Sequence, residues 1–193
     1  LEKITYSPKP SFCFLARLDP QKRPWIFFEL AKRFPHIDFL VAGTTNYPKL
    51  INPIIDKYKS IPNLKFLGMI HDREKDEVLK NSWALINTSI HEGLPVSFLE
   101  SFAYGKPIIS CLNPDGLVER YGVYTGEILG DGEDKQTIDI FANALDKFLK
   151  NDEERIEKGR QARKFVEENY SYGKFAEVID EITKEFNIKR NGK

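Results

Sequence analysis

The chain has 193 residues, long enough to bury one substantial core, and its 29 Lys plus Arg balance 29 Asp plus Glu. Zero net charge argues against a nucleic-acid binder held by phosphate neutralisation, which needs a basic excess. At 41% apolar and 30% charged residues, the composition is that of a soluble globular domain and excludes disordered, collagen-like and membrane-spanning classes.

The opening stretch, Leu-Glu-Lys-Ile-Thr-Tyr-Ser-Pro-Lys-Pro, has no apolar core of signal-peptide length and reads as a linker over residues 1–11. With no initiator Met, the chain is expected to be a fragment of a longer protein. Short apolar runs at 12–18, 37–42, 64–67, 83–88 and 107–111 then predict strands, most of them apolar enough to be buried on both faces. Helical patterns at 24–34, 49–58, 73–81 and 95–104 alternate with them. Strand, helix, strand in this rhythm predicts an α/β fold, a doubly wound, Rossmann-like parallel sheet with helices on both faces. A weaker strand is expected at 124–129. Three helices follow between 137 and 187, broken near Asn151-Asp152 and Tyr170 to Gly173, before a charged, frayed tail at 189–193. Cys13 and Cys111 lie in apolar runs and read as buried thiols, neither a disulfide nor a metal site.

In an open parallel sheet, ligands bind at the carboxyl ends of the strands, beside helix N-termini whose free N–H groups attract anions. The loop after the first strand, Arg17-Leu18-Asp19-Pro20-Gln21-Lys22-Arg23, carries three cations in seven residues. Arg, with forked donors, and Lys, a mobile point charge, suit a diphosphate. On residue types alone a solvated surface loop fits equally well. The loop after the fourth strand runs Asn87-Thr88-Ser89-Ile90-His91-Glu92-Gly93-Leu94-Pro95-Val96-Ser97-Phe98-Leu99-Glu100. Small polar residues end the strand, Gly93 permits close backbone approach, and Pro95 suits the first turn of a helix. The amides of Leu94, Val96 and Ser97 would face an anion, and Glu92 and Glu100 would accept hydrogen bonds from sugar hydroxyls. The plainer alternative makes Glu92 a helix-dipole partner and Glu100 a surface residue.

The run Glu92-Gly93-Leu94-Pro95-Val96-Ser97-Phe98-Leu99-Glu100, followed by Ala103-Tyr104-Gly105-Lys106-Pro107-Ile108-Ile109, resembles the signature of retaining GT-B glycosyltransferases of family four, two glutamates separated by seven residues. Ala16-Arg17-Leu18 with Lys22 resembles that family's phosphate-binding Arg and Lys, and Asn63 to Gly68 the strand before its base-binding loop. Ala16 and Arg23 stand where the family often has Gly, and Asn113 to Glu119 matches its glycine-rich loop only loosely.

The resemblance implies that Arg17 and Lys22 neutralise the diphosphate of a nucleoside diphosphate sugar and that Glu92 holds the transferred sugar, these three being the catalytic set. It implies further that Glu100 holds the ribose and that Gly93, Leu94, Pro95 and Val96 form the turn facing sugar and phosphate. Gly68, Ile70 and His71 would frame the base, with Lys75 a weaker candidate. His36 reads as structural and His91 as supporting. No metal or cofactor is expected. On the same basis residues 12–170 form the donor-binding C-terminal domain and 171–193 a helix and tail. The partner is an N-terminal acceptor-binding domain of the same polypeptide, and the enzyme is cytoplasmic with a peripheral membrane contact through that missing domain. The fragment alone would be inactive. A nucleotide-sugar epimerase or hydrolase of GT-B architecture and a degenerate interaction module are the competing expectations. A dehydrogenase is disfavoured, because no glycine-rich turn follows the first strand.

Overall fold

A computed structural model describes residues 3–191. Six parallel strands form one sheet in the order β3-β2-β1-β4-β5-β6: β1 Ser11–Leu15, β2 Asp38–Ala42, β3 Leu64–Gly68, β4 Ala84–Asn87, β5 Ile108–Ser110 and β6 Gly122–Tyr124. Between them run α1 Pro24–Arg33, α2 Pro48–Tyr58, α3 Asp72–Asn81, α4 Val96–Ala103 and the short α5 Leu117–Tyr121. The chain closes with α6 Lys135–Lys150, α7 Asp152–Asn169 and α8 Tyr172–Asn191.

The two-residue period of β1 decides which layer each side chain enters. Phe12 and Phe14 turn to one face, where they pack with Phe27 and Phe28 of α1, Phe39 of β2 and Phe141, Leu145 and Phe148 of α6. Cys13 turns to the other, toward Leu85, Phe98, Phe102 and Ile108, with Leu79 of α3 and Ala162 of α7. Phe27 stands edge-on to Phe39 with ring centroids 5.1 Å apart. Burying each such ring contributes about 1.5–3 kcal/mol, so both faces of the central strands are committed to the core.

Several expected boundaries shift, each for a physical reason. The first strand stops at Leu15, where the chain bends at Ala16; Leu18 N–H still reaches the Thr44 carbonyl at 2.8 Å before Pro20–Lys22 forms a 3₁₀ turn. The weak strand expected at 124–129 forms at Gly122–Tyr124 instead. A Cβ on Gly122 would sit 1.9 Å from the Ile108 carbonyl oxygen, so glycine is what lets this strand lie against β5. The segment expected as a loop around Asn113 to Glu119 is a 3₁₀ turn, Pro114–Gly116, leading into α5, and Asn113 Oδ1 accepts from the amides of Val118 and Glu119. The caps of α6 and α7 are side chains: Asp134 accepts from the Thr137 amide at 2.9 Å and Asn151 from that of Glu154 at 3.1 Å. Leu1 and Glu2 of the expected linker, and Gly192 and Lys193 of the expected tail, lie outside the described residues.

Residues 5–7 lie against the domain. The Trp83 indole donates to the Ser7 carbonyl at 2.9 Å, and the Tyr6 hydroxyl to that of Gly105 at 3.1 Å. The fully buried Lys106 amine donates to the carbonyls of Thr5 and Lys80 and sits 3.8 Å above the Tyr6 ring. Burial pulls that amine down to about 7, helped by the Arg155 cation and opposed by the nearby Cys13.

Candidate functional site

Strand order reverses between β1, which leads outward to β2, and β4, which leads to β5, so the crossovers diverge and leave a crevice above their carboxyl ends. The loops after these strands meet there. The Ile90 amide donates to the Gln21 carbonyl at 3.0 Å, and the Gln21 side chain to the His91 carbonyl at 2.9 Å. Thr88 Oγ1 donates within reach of both the Lys22 carbonyl, at 2.6 Å, and the Arg23 carbonyl, at 3.0 Å.

Arg23 corrects the expectation of a three-cation cluster. It adopts φ 45°, ψ 52°, the left-handed region that glycine enters freely, and this sends its side chain into the interior, where it is fully buried. Its guanidinium donates to the carbonyls of Thr88 at 2.7 Å, Ile128 at 3.0 Å, Gly130 at 3.1 Å and Ser89 at 3.4 Å, and to Cys111 Sγ at 3.1 Å. The side chain thus ties the β4 loop to the chain after β6 and takes no part in the crevice.

Lys22 does face the crevice. Its Nζ lies 2.7 Å from Glu92 Oε2, and both side chains are mostly buried. Asn87, the last residue of β4, donates to Glu92 Oε1 at 3.0 Å while its own Oδ1 accepts from the Ser89 amide at 3.1 Å. Burial works to raise the Glu92 carboxyl, but hydrogen bonds from Lys22, Ser89 and Asn87 outweigh it and hold the group below the ordinary carboxylate range. Glu92 is therefore an anion at neutral pH, fixed from two sides. The Lys22 ammonium has three N–H donors, so its bond to Glu92 leaves others for a second acceptor.

Arg17 is largely exposed, with Nε 3.2 Å from Asp19 Oδ2. Asp19 is buried and also accepts from Thr45 Oγ1 at 3.2 Å and the Asn46 amide at 3.1 Å. Sequence reasoning missed this carboxylate. An Asp-Pro pair two residues after the Arg was the available signal.

Pro95 caps α4 in extended conformation instead of occupying its first turn, one position earlier than expected, and its ring is buried. Val96 and Ser97 then open the helix, where amides have no intrahelical partner. Gly93 is exposed and a Cβ there would meet nothing within 4 Å, so the turn presents bare backbone. Glu100 lies on α4, and its Oε1 is 2.6 Å from Nζ of Lys75 on α3. This second ion pair walls a cleft of about 210 Å³ at the ends of β1, β2 and β3, floored by Ala16, Ala42 and Gly43 and sided by Met69 and Ile70. A Cβ on Gly43 would lie 1.9 Å from the Ala16 carbonyl oxygen, so only glycine permits that floor.

Gly68 ends β3 with φ 69°, and its carbonyl accepts from the Gly43 amide at 2.7 Å. His71 caps α3 without a side-chain bond, is exposed, and does not line the cleft. His91 is exposed, and the exposed His36 ring lies 6.3 Å from that of Phe34. Among the described residues no three His, Cys, Asp or Glu are grouped to hold a metal ion, and no helix is long and apolar enough to cross a membrane. Larger grooves of about 460 Å³ beside Thr5 and Tyr104 and about 410 Å³ beside Trp25 and Tyr58 lie on the helical flanks, away from the strand ends, and another of about 330 Å³ lies along Asn46 to Leu50 at the start of α2.

The family described as "Glycosyl transferases group 1" matches residues 2–165. Over 157 residues the chain is 32% identical to the Escherichia coli UDP-Gal:alpha-D-GlcNAc-diphosphoundecaprenol alpha-1,3-galactosyltransferase, a match covering 75% of this chain and 38% of that protein. Sucrose-phosphate synthase from Thermosynechococcus elongatus superposes with a TM-score of 0.76 at 17% identity, over 96% of this chain and 50% of that one. The pneumococcal O-GlcNAc transferase GtfA, crystallised with UDP and GlcNAc, gives 0.72 at 16% identity, over 95% and 38%. The chain thus spans half or less of the length of each of these proteins. The two structures share the fold: a parallel α/β domain matching the C-terminal part of GT-B glycosyltransferases. With the family match running from before β1 through both loops of the crevice into α7, this chain belongs to the glycosyl transferases group 1 family.

Proposed function

We propose that this domain binds the nucleoside diphosphate sugar from which a retaining glycosyltransferase moves a sugar to a glycan or lipid acceptor. The observation that carries the reading is the Lys22–Glu92 pair at the switch point, a cation and an anion held side by side at a mostly buried position. A diphosphate needs the first and sugar hydroxyls the second. The family membership and the UDP and UDP-galactose in the names of the relatives support it.

In this reading Lys22 and Arg17 hold the diphosphate and stabilise the charge that grows on it as the glycosidic bond breaks, an electrostatic effect strengthened where water is excluded. Lys22 enters the reaction preorganised, because Glu92 already fixes its stem. Glu92 accepts from hydroxyls of the transferred sugar. The open amides of Gly93, Leu94 and Val96, with Pro95 shaping the turn, lie against sugar and phosphate. Glu100 accepts from the ribose, and Gly68, Ile70 and the backbone of His71 border the base. No metal or cofactor is given a role. An N-terminal acceptor-binding domain completes the cleft, and the membrane contact of a lipid-linked acceptor belongs there. The diphosphoundecaprenol in the name of the E. coli relative supports such an acceptor.

Calorimetric titration of the folded chain with UDP, GDP and ADP tests the reading: saturable binding to at least one is expected, and none to any contradicts it. In the whole enzyme, turnover of the donor without an acceptor would instead favour an epimerase or hydrolase.

A further inference from the structure

The cleft between β1, β2, β3 and α4 is lined by Leu15, Ala42, Gly43 and other apolar residues, and among the described residues Lys75 and Glu100 carry its polar side chains. They come from different helices, α3 and α4, and meet at 2.6 Å with each about one-third exposed. A glutamate at that exposure, left alone, samples several orientations at little cost. With Oε1 engaged by Lys75, the carboxylate has one orientation, in which Oε2 remains an acceptor.

From this geometry we infer that Lys75 is a positioning and specificity residue that, through Glu100, makes the cleft select a ribose over a deoxyribose. The inference rests on the donor-binding reading above and adds to it a residue and a selectivity. The ammonium has N–H donors beyond the one given to Glu100, so a sugar hydroxyl placed between the two residues donates its proton to Glu100 and accepts from Lys75. A ligand lacking that hydroxyl leaves Lys75 and Glu100 bonded to each other, but leaves Glu100 Oε2 and the spare Lys75 donors facing the ligand without a bond. Sites built to hydrogen-bond a hydroxyl reject analogues lacking it far more strongly than apolar pockets reject a missing methylene. Hydrogen bonding to Glu100 raises the Lys75 ammonium above its ordinary value, against the opposing effect of burial and with help from Asp72 and Asp76, so Lys75 stays charged across neutral pH.

The test compares UDP with 2′-deoxy-UDP by calorimetry on the wild-type chain and on Lys75→Met, Lys75→Arg and Glu100→Gln. The wild type is expected to favour UDP by about 10-fold or more, a preference that falls below about 3-fold in Lys75→Met and Glu100→Gln and is restored in part by Lys75→Arg, which keeps a donor. Thermal melts identify any variant that has lost the fold, and Lys75→Arg then carries the comparison through a shifted preference. An unchanged preference in Lys75→Met, with UDP still bound, overturns the role of Lys75 and leaves the donor-binding reading standing. Failure of the wild type to bind UDP, GDP or ADP overturns both.

Discussion

Lys22→Ala is expected to lower kcat/KM of the whole enzyme for its nucleotide sugar by about 10²- to 10³-fold, the range for removing one preorganised group aimed at developing charge. Binding of the nucleoside diphosphate to the isolated domain falls with it. The substitution also strands Glu92, whose side chain is only 15% exposed. Leaving one member of a buried pair alone costs about 3–5 kcal/mol; Asn87 still donates to Glu92 at 3.0 Å, so the stability loss should fall below that range. The double variant Lys22→Ala/Glu92→Gln separates the two effects. Removing both charges should return much of the stability while binding stays lost, whereas a purely structural Lys22 would recover both together. Urea melts and calorimetry on the four proteins of this cycle check the expectation.

Arg23→Ala is expected to act almost entirely on the fold. Its guanidinium satisfies four carbonyls and the Cys111 sulfur at a fully buried position, so truncation leaves several acceptors without donors and opens a void. A loss of about 3–5 kcal/mol follows, enough to unfold many domains of ordinary stability. Arg17→Ala supplies the contrast. Its side chain is 59% exposed and pairs with Asp19 alone among the contacts described, so its unfolding free energy from urea melts should stay within ~0.5 kcal/mol of wild type while nucleotide binding weakens. Equal stability losses in the two variants would contradict the division of labour between these neighbouring arginines.

That division marks where the sequence stops being readable. The alternation of Phe12, Cys13 and Phe14 and the apolar runs of β2, β4 and β5 carry the parallel sheet, because a strand buried on both faces must be apolar throughout. The spacing of Glu92 and Glu100 carries the resemblance to the family, and the order of strands then places both glutamates above the sheet. Which charge faces which is not local information. Arg17, Lys22 and Arg23 look alike in sequence, yet the left-handed backbone at Arg23 turns one of them inward, and the other two are held by Asp19 and Glu92. The Lys75–Glu100 pair likewise joins helices separated by β4, a contact that exists only once both pack on the same face of the sheet. The last strand starts at Gly122, earlier than the expected 124–129, for a related reason: the need for glycine there arises only against the Ile108 carbonyl of the neighbouring strand.

The central claim is one of place: a nucleoside diphosphate sits above β1 and β4, between Lys22 and the Gly93 turn. Titrating UDP into the isotope-labelled domain and following backbone amides by NMR tests it most directly. Saturable shifts should concentrate at residues 16–22, 43, 68–71 and 92–100, leaving residues 5–7 and α6 unmoved. Shifts confined to the groove beside Thr5 and Tyr104, or to the one beside Trp25 and Tyr58, would contradict the account.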